Sequence, residues 1–280
     1  MKYFTILCLS AMLMGCATGY HSKEFTKEGS FTSGIEGPAT DDQGTIYAVN
    51  YKEQGTIGKI TPTGESTVFV TLPNGSIGNG IRFGQQHQMF VADYVNHNIL
   101  EIDMSSKHIE VYAHEPTANQ PNDIAIAPDD TIYASDPNWA DNTGKIWKVT
   151  KENGFKLLED NMGTTNGIEV SPDGKKLYVN ESVQRKIWVY DIDEDGMIKN
   201  KKEFMSFADF GLDGMRCDRE GNLYVTRYDK GTVVVLSPTG KVLKEYRLKG
   251  QKPSNLTFSP DYKTIYVTLA DKGNIEVIRL

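Results

Sequence analysis

The chain reads as all-β, and more narrowly as a six-bladed β-propeller. Three observations carry that expectation: one repeat occurs six times, its period lies in the low forties, and each copy consists of short alternating segments between polar turns. The repeat is plainest in "DREGNLYVTRYDKGTVVVL", with relatives such as "DDQGTIYAVNYKEQGTIGKI" and "SPDGKKLYVNESVQRKIWVY". Its aromatic anchors are Tyr47, Phe90, Tyr133, Tyr178, Tyr224 and Tyr266, spaced by 43, 43, 45, 46 and 42 residues. A four-stranded meander cannot bury both faces alone, so the six must close into a ring.

The first residues stand apart from the repeats. "MKYFTILCLSAMLMGC" has a positive Lys2, an apolar run too short to cross a bilayer, and small residues before Cys16. Residues 1–15 read as a signal peptide, residues 16–28 as a lipidated Cys16 and its tether, and residues 29–280 as the propeller. "LMGC" resembles the lipobox of bacterial lipoproteins, which implies an exported protein of the cell envelope, held at a membrane by acyl chains on Cys16. An ordinary cleaved signal with an incidental cysteine is the alternative. Cys217 is then the one cysteine of the exported domain outside the leader; it sits in an alternating apolar run and is expected to be buried and inert.

The repeats follow in order, and the last runs out after three strands at Leu280. Lys23 to Thr32 is expected to supply its fourth. The formal charge of −7, from 30 basic and 37 acidic residues, is spread along the chain. No basic block is present, which argues against a nucleic-acid surface.

Counting back from the anchors points to a site. Eleven residues before each anchor, or twelve in the fourth repeat, stand Glu36, Asn79, Asn122, Asn166, Asp213 and Asn255. Every one carries a side-chain oxygen, and the innermost strands of a propeller bring equivalent positions to the axis. Oxygen donors with two acids and no His or Cys suit a hard divalent cation, calcium above all, held by about four ligands rather than six. Asn-Gly and Asp-Gly are also ordinary turn dipeptides, but Glu36 precedes Gly-Pro and Asn255 precedes Leu.

At this point "IEGPA", "PND", "TNGIEVSPDGKKLYV" and "DGMRCDREGNLYV" resemble the gluconolactonase/regucalcin-like family of calcium-dependent hydrolases, from about Ser30 to Leu280. The resemblance implies one catalytic cation on the axis, held by Glu36, Asn122, Asn166 and Asp213, with Asn79 and Asn255 behind it or facing the substrate. Sugar-lactone members often carry an Arg upstream of the matched Asn. This chain has Gln120 and Pro121 there, which weighs against a polyhydroxylated substrate.

The expected chemistry is hydrolysis of a small lactone or related ester. The cation polarises the carbonyl, Asp213 acts as general base or nucleophile, and Glu36 holds and neutralises the metal. Asp93, Asp136, Trp139 and Arg227, in or beside the loops after the second strands, are expected to shape the substrate pocket. The alternative function is a membrane-tethered binding propeller with a structural calcium ion and no catalysis.

Overall fold

The computed structural model describes residues 19–280. Cys16 and the proposed signal segment lie outside the described residues. Twenty-four strands, β1 to β24 along the chain, form six four-stranded antiparallel sheets. Five blades are consecutive meanders, β2–β5 through β18–β21, and the sixth runs β22-β23-β24 with β1 at its outer edge. The innermost strands are β2 (Ala39–Thr40), β6 (Gly78–Phe83), β10 (Ile124–Ile126), β14 (Thr165–Val170), β18 (Met215–Cys217) and β22 (Pro253–Phe258).

The period-two alternation of each strand decides which neighbour its residues meet. In β3 (Ile46–Val49), Tyr47 and Val49 pack with Ile81 and Val91 of blade two, whereas Ile46 and Ala48 pack with Ile275 of blade six. The remaining four buried clusters likewise bridge successive blades, so the core is six wedges between sheets. Tyr133, Tyr178 and Tyr224 repeat the placement of Tyr47, each packing against the following blade. Cys217 belongs to the wedge between blades four and five, 7% exposed, and burial pushes its thiol pKa up, in keeping with an inert core residue.

Ring closure follows the expected route with a shifted strand. β1 is Ser22–Glu24, and it pairs antiparallel with β24 (Asn274–Arg279) in the register Ser22↔Ile278 and Glu24↔Glu276. The remainder of Lys23–Thr32 crosses to blade one, with Phe25, Gly29 and Phe31 donating backbone hydrogen bonds to Ile275, Lys272 and Gly273. Phe31 then bridges to Tyr51.

Two hairpin lengths occur between first and second strands. The closing backbone bonds Asp41 to Thr45, Gly84 to Gln88, Ala127 to Thr131 and Asp218 to Asn222 span four residues; Ser171 to Lys176 and Ser259 to Thr264 span five. The longer pair are "SPDGKK" and "SPDYKT", each opened by a serine whose hydroxyl accepts the closing N–H, from Lys176 and Thr264. This extra residue explains the count of twelve in blade four, and it matters for blade six.

Candidate metal centre

The six axial positions are fixed by strand register. Ile124 pairs with Ala134, Ile168 with Val179, Met215 with Val225 and Leu256 with Val267. Two residues before the first three stand Asn122, Asn166 and Asp213. Two before Leu256 stands Ser254, not Asn255. Asn255 is therefore one place deeper than the count suggests, because the long hairpin of blade six was not allowed for. Ser254 donates through its hydroxyl to the Ile35 carbonyl at 2.8 Å, across the seam to blade one.

The position after each axial residue is Gly37, Gly80, Asp123, Gly167, Gly214 and Asn255. The two that are not glycine lie on opposite blades and behave alike. Each accepts the next residue's N–H on its own Oδ1, at 2.9 Å. Each also lies over the glycine of the preceding blade: a Cβ on Gly80 would sit 2.6 Å from Asp123 Oδ1, and one on Gly214 would sit 2.0 Å from Asn255 Cγ. Across the axis they meet, with Asn255 Nδ2 donating to Asp123 Oδ2 at 3.3 Å.

Above this contact lie the expected acids. Glu36 Oε2 accepts hydrogen bonds from Gly37 N at 2.8 Å and Asn255 Nδ2 at 3.1 Å. Asp213 is hydrogen-bonded to the side chain of Asn166 and lies within electrostatic reach of Glu36 and Asp123. Burial first and the Asp123 charge second raise the Glu36 carboxyl to about 7, against the hydrogen bonds from Gly37 and Asn255 and the weaker pull of Arg216. Asp213 is pushed well above the ordinary carboxylate range by burial, then by Glu36 and Asp123. Both acids keep partial exposure. Asn122 is 8% exposed and its side chain makes no hydrogen bond among the described residues; Asn79 is half-buried at the equivalent place in blade two.

Polar residues of the second strands brace this backbone. Asn180 Nδ2 donates to the Asp213 carbonyl at 2.5 Å. Thr226 Oγ1 donates to the carbonyls of Gly214 and Ser254 at 3.0 and 3.1 Å. Ser135 Oγ accepts from Asp123 N, and Thr268 Oγ1 accepts from Asn255 N.

Below the Asp123–Asn255 contact the axis is charged. Asp123 pairs with Arg82 Nη1 at 3.2 Å and Arg216 Nη1 at 3.5 Å, and Arg82 Nη2 pairs with Glu169 Oε2 at 3.3 Å. Burial first and the Arg82 charge second lower Arg216 to about 10, against the pull of Asp123, Glu169 and Glu36. Arg82, Glu169 and Arg216 floor a cavity of about 630 Å³ at the far ends of the inner strands. It opens on the face opposite Glu36 and Asp213. Asp123, Arg82, Glu169 and Arg216 escaped the sequence reading; the signal for Asp123 was its place in a column otherwise occupied by four glycines and an Asn.

The expected pocket residues have other employment. Asp93 is fully buried and accepts from Ser76 Oγ at 2.7 Å and Asn98 Nδ2 at 2.9 Å. Asp136, equally buried, accepts from the backbone of Asn119 and Gln120 and from Trp147 Nε1. Arg227 is 1% exposed, donates to Asp209 and stacks on Phe207 at 3.8 Å. These three hold the loops that lead into the inner strands. Trp139 differs in being 42% exposed.

Among the described residues no group of three or more His, Cys, Asp or Glu stands in a metal-holding arrangement. The axial set is two acids with two amides, and its chemistry fits a hard cation: all-oxygen donors and two carboxylates that repel one another.

Known proteins share this architecture and sequence. The chain is 25% identical over 269 residues to a gluconolactonase of Zymomonas mobilis, covering 83% of this chain and 75% of that one. It is 30% identical over 277 residues to the diisopropyl-fluorophosphatase of Loligo vulgaris, covering 87% and 88%. The crystal structure of a calcium-binding protein, regucalcin, from Agrobacterium tumefaciens superposes with a TM-score of 0.80 at 19% identity, covering 92% and 93%, which establishes the common fold. The profile of the SMP-30/Gluconolactonase/LRE-like region matches residues 34–271, and the chain belongs to that family.

Proposed function

We propose that the protein is a calcium-dependent hydrolase of a lactone or related ester, exported and held at a membrane through Cys16. The observation that carries the reading is the meeting of Glu36 and Asp213, from blades one and five, in one shared electrostatic environment at the axis. Two largely buried acids with raised pKa values at the mouth of a scaffold mark a functional site. The relatives named gluconolactonase and diisopropyl-fluorophosphatase support hydrolysis, and the regucalcin relative supports calcium.

Glu36, Asn122, Asn166 and Asp213 would hold the cation, which when bound supplies charge stabilisation to a carbonyl oxygen. Glu36 is oriented by Gly37 N–H and the Asn255 amide. Asp213 is held by Asn166, and its backbone is fixed by Asn180. As a base, the Asp213 carboxylate takes a proton from water while the water oxygen bonds to the carbonyl carbon. The ring C–O bond then breaks, and the alkoxide takes up a proton. As a nucleophile, Asp213 forms the new C–O bond itself as the ring C–O bond breaks and the alkoxide takes up a proton; water then cleaves the acyl-Asp213 anhydride, releasing the acid and restoring the carboxylate. Single turnover in ¹⁸O-water with mass spectrometry of the quenched enzyme separates the routes: label in Asp213, or an acyl group trapped on it, means nucleophile, and label in the product with no acyl-Asp213 means base.

The deciding experiment assays the full chain on lactones and aryl esters with calcium and with a chelator. Calcium-dependent turnover supports the hydrolase. A chelator that lowers the melting temperature while no substrate is turned over sinks it in favour of a binding propeller.

A further inference from the structure

The rim that carries Glu36 and Asp213 has exposed apolar residues on one side, interleaved with Asp141, Arg185 and Asp209, and only polar or charged exposed residues on the other. The loops after the second strands of blades two, three and four present Val95, Trp139 and Val183, which are 44%, 42% and 47% exposed. The same loops of blades five and six present Asp229 and Asp271, and that of blade one presents Lys52 and Glu53. Phe210, 44% exposed, extends the apolar side toward blade five. Its φ of 50° is uncommon for a bulky residue, and such strain persists where the surroundings sustain it, often at ligand sites.

These loops are tied to each other and to the axis. Gln184 Nε2 donates to the Asn142 carbonyl at 3.2 Å, joining the Val183 loop to the Trp139 loop. Ser182 Oγ donates to the carbonyl of Leu212, the residue before Asp213. A Cβ on Gly211 would lie 3.7 Å from both Ser182 Oγ and Tyr228 Cβ, so the Phe210–Gly211 turn sits between blades four and five. On the charged side the groups pair among themselves, Lys230 with Glu245 at 3.0 Å and Lys252 with Asp229 at 3.9 Å.

We propose that Trp139, Val183 and Phe210, with Val95 at the end of the arc, form the specificity surface of the axial site, and that the substrate carries an apolar alkyl or aryl body. This rests on the hydrolase reading and names its substrate class. Single exposed apolar residues are ordinary, but four on neighbouring loops of one rim, beside one site, mark a recognition surface. A bilayer is the other apolar phase able to cover such an arc. The N-terminal strand, however, joins the outermost edge of blade six, across the ring from blade three, and begins at Ser22 opposite Ile278, the end of β24 away from the rim that carries the arc.

The test uses the purified full chain with calcium, γ-lactones bearing unbranched chains of zero to six carbons, and glucono-δ-lactone. Specificity kcat/KM is expected to rise about fourfold for each methylene that the arc covers. In Phe210→Gly, which suits the positive φ, and in Trp139→Ser, the ratio of long-chain to short-chain kcat/KM falls at least tenfold. Equal rates along the series, preference for glucono-δ-lactone, or variants that depress every substrate alike overturn the proposal. Fluorescence titration with γ-decalactone is independent of turnover, with Trp139→Phe as its control. A Trp139-dependent change without hydrolysis of any substrate defeats the hydrolase reading and sustains the arc. Absence of both binding and turnover overturns the two together. Trp139-dependent partition onto phosphatidylglycerol vesicles, without lactone binding, overturns the arc in favour of membrane contact.

Discussion

Asp123 and Asn255 occupy the same column of the fold, on opposite blades, and their contact divides the axis into an upper acidic mouth and a lower charged floor. Each leans over a glycine that a methyl group would disturb. Gly214→Ala is therefore expected to push Asn255 off Glu36 and cost about 1–3 kcal/mol, read as a lower melting temperature together with weakened calcium binding. Asp213→Asn should keep the fold and lose at least about 100-fold in turnover at saturating calcium. The pH dependence follows from Glu36, whose carboxyl rises from 4.5 unfolded to about 7 folded. The folded chain holds this proton more tightly, so the stability it adds is full below pH 4.5 and is lost as pH rises toward 7. Calcium competes with the same proton. Calcium affinity is expected to increase from pH 5 to 8, with proton release near pH 6.5 measured by calorimetry in buffers of different ionisation heat.

At the scale of strands and turns, the repeat was legible because six copies of one alternating pattern cannot be accommodated any other way. Legibility ended where turn length entered. Ser171 and Ser259 open hairpins one residue longer than those at Asp41 and Asp218. The anchor in blade six therefore pointed to Asn255 when Ser254 holds the axial place. The acids at the ends of the second strands misled for a different reason. Polar residues at loop mouths serve both pockets and loop anchoring, and only the partners of Asp93 and Asp136 distinguish the two. Exposed acid–base surface and buried acid–amide surface look the same in a sequence. The second strands also carry the hydroxyls that steady the axial backbone. Thr226→Val keeps the shape, leaves the Gly214 and Ser254 carbonyls without that donor, and should cost about 1–3 kcal/mol by denaturant unfolding.

For the molecule as a whole, six apolar wedges between blades stabilise the ring, and no wedge is complete without both of its sheets. The seam between blades six and one is fastened by β1, by Phe31 beside Tyr51, and by Ser22, whose hydroxyl donates to Glu276. Removing residues 1–18 should leave the melting temperature within a few degrees of the full chain. Removing residues 1–25 strips the outer strand of blade six and should lower it by about 10 °C or more, or yield aggregates through the freed edge of β24. Differential scanning calorimetry of the two truncations checks this.

The fastening at the seam also sets an order of events. Ser22 and Glu276 are 254 residues apart, and neither blade-six edge is satisfied until both segments are present. A nascent chain therefore holds finished early blades beside a raw edge. Long-range pairing of this kind makes slow folding, and the circle locks only once Asn274–Arg279 has met Ser22–Glu24.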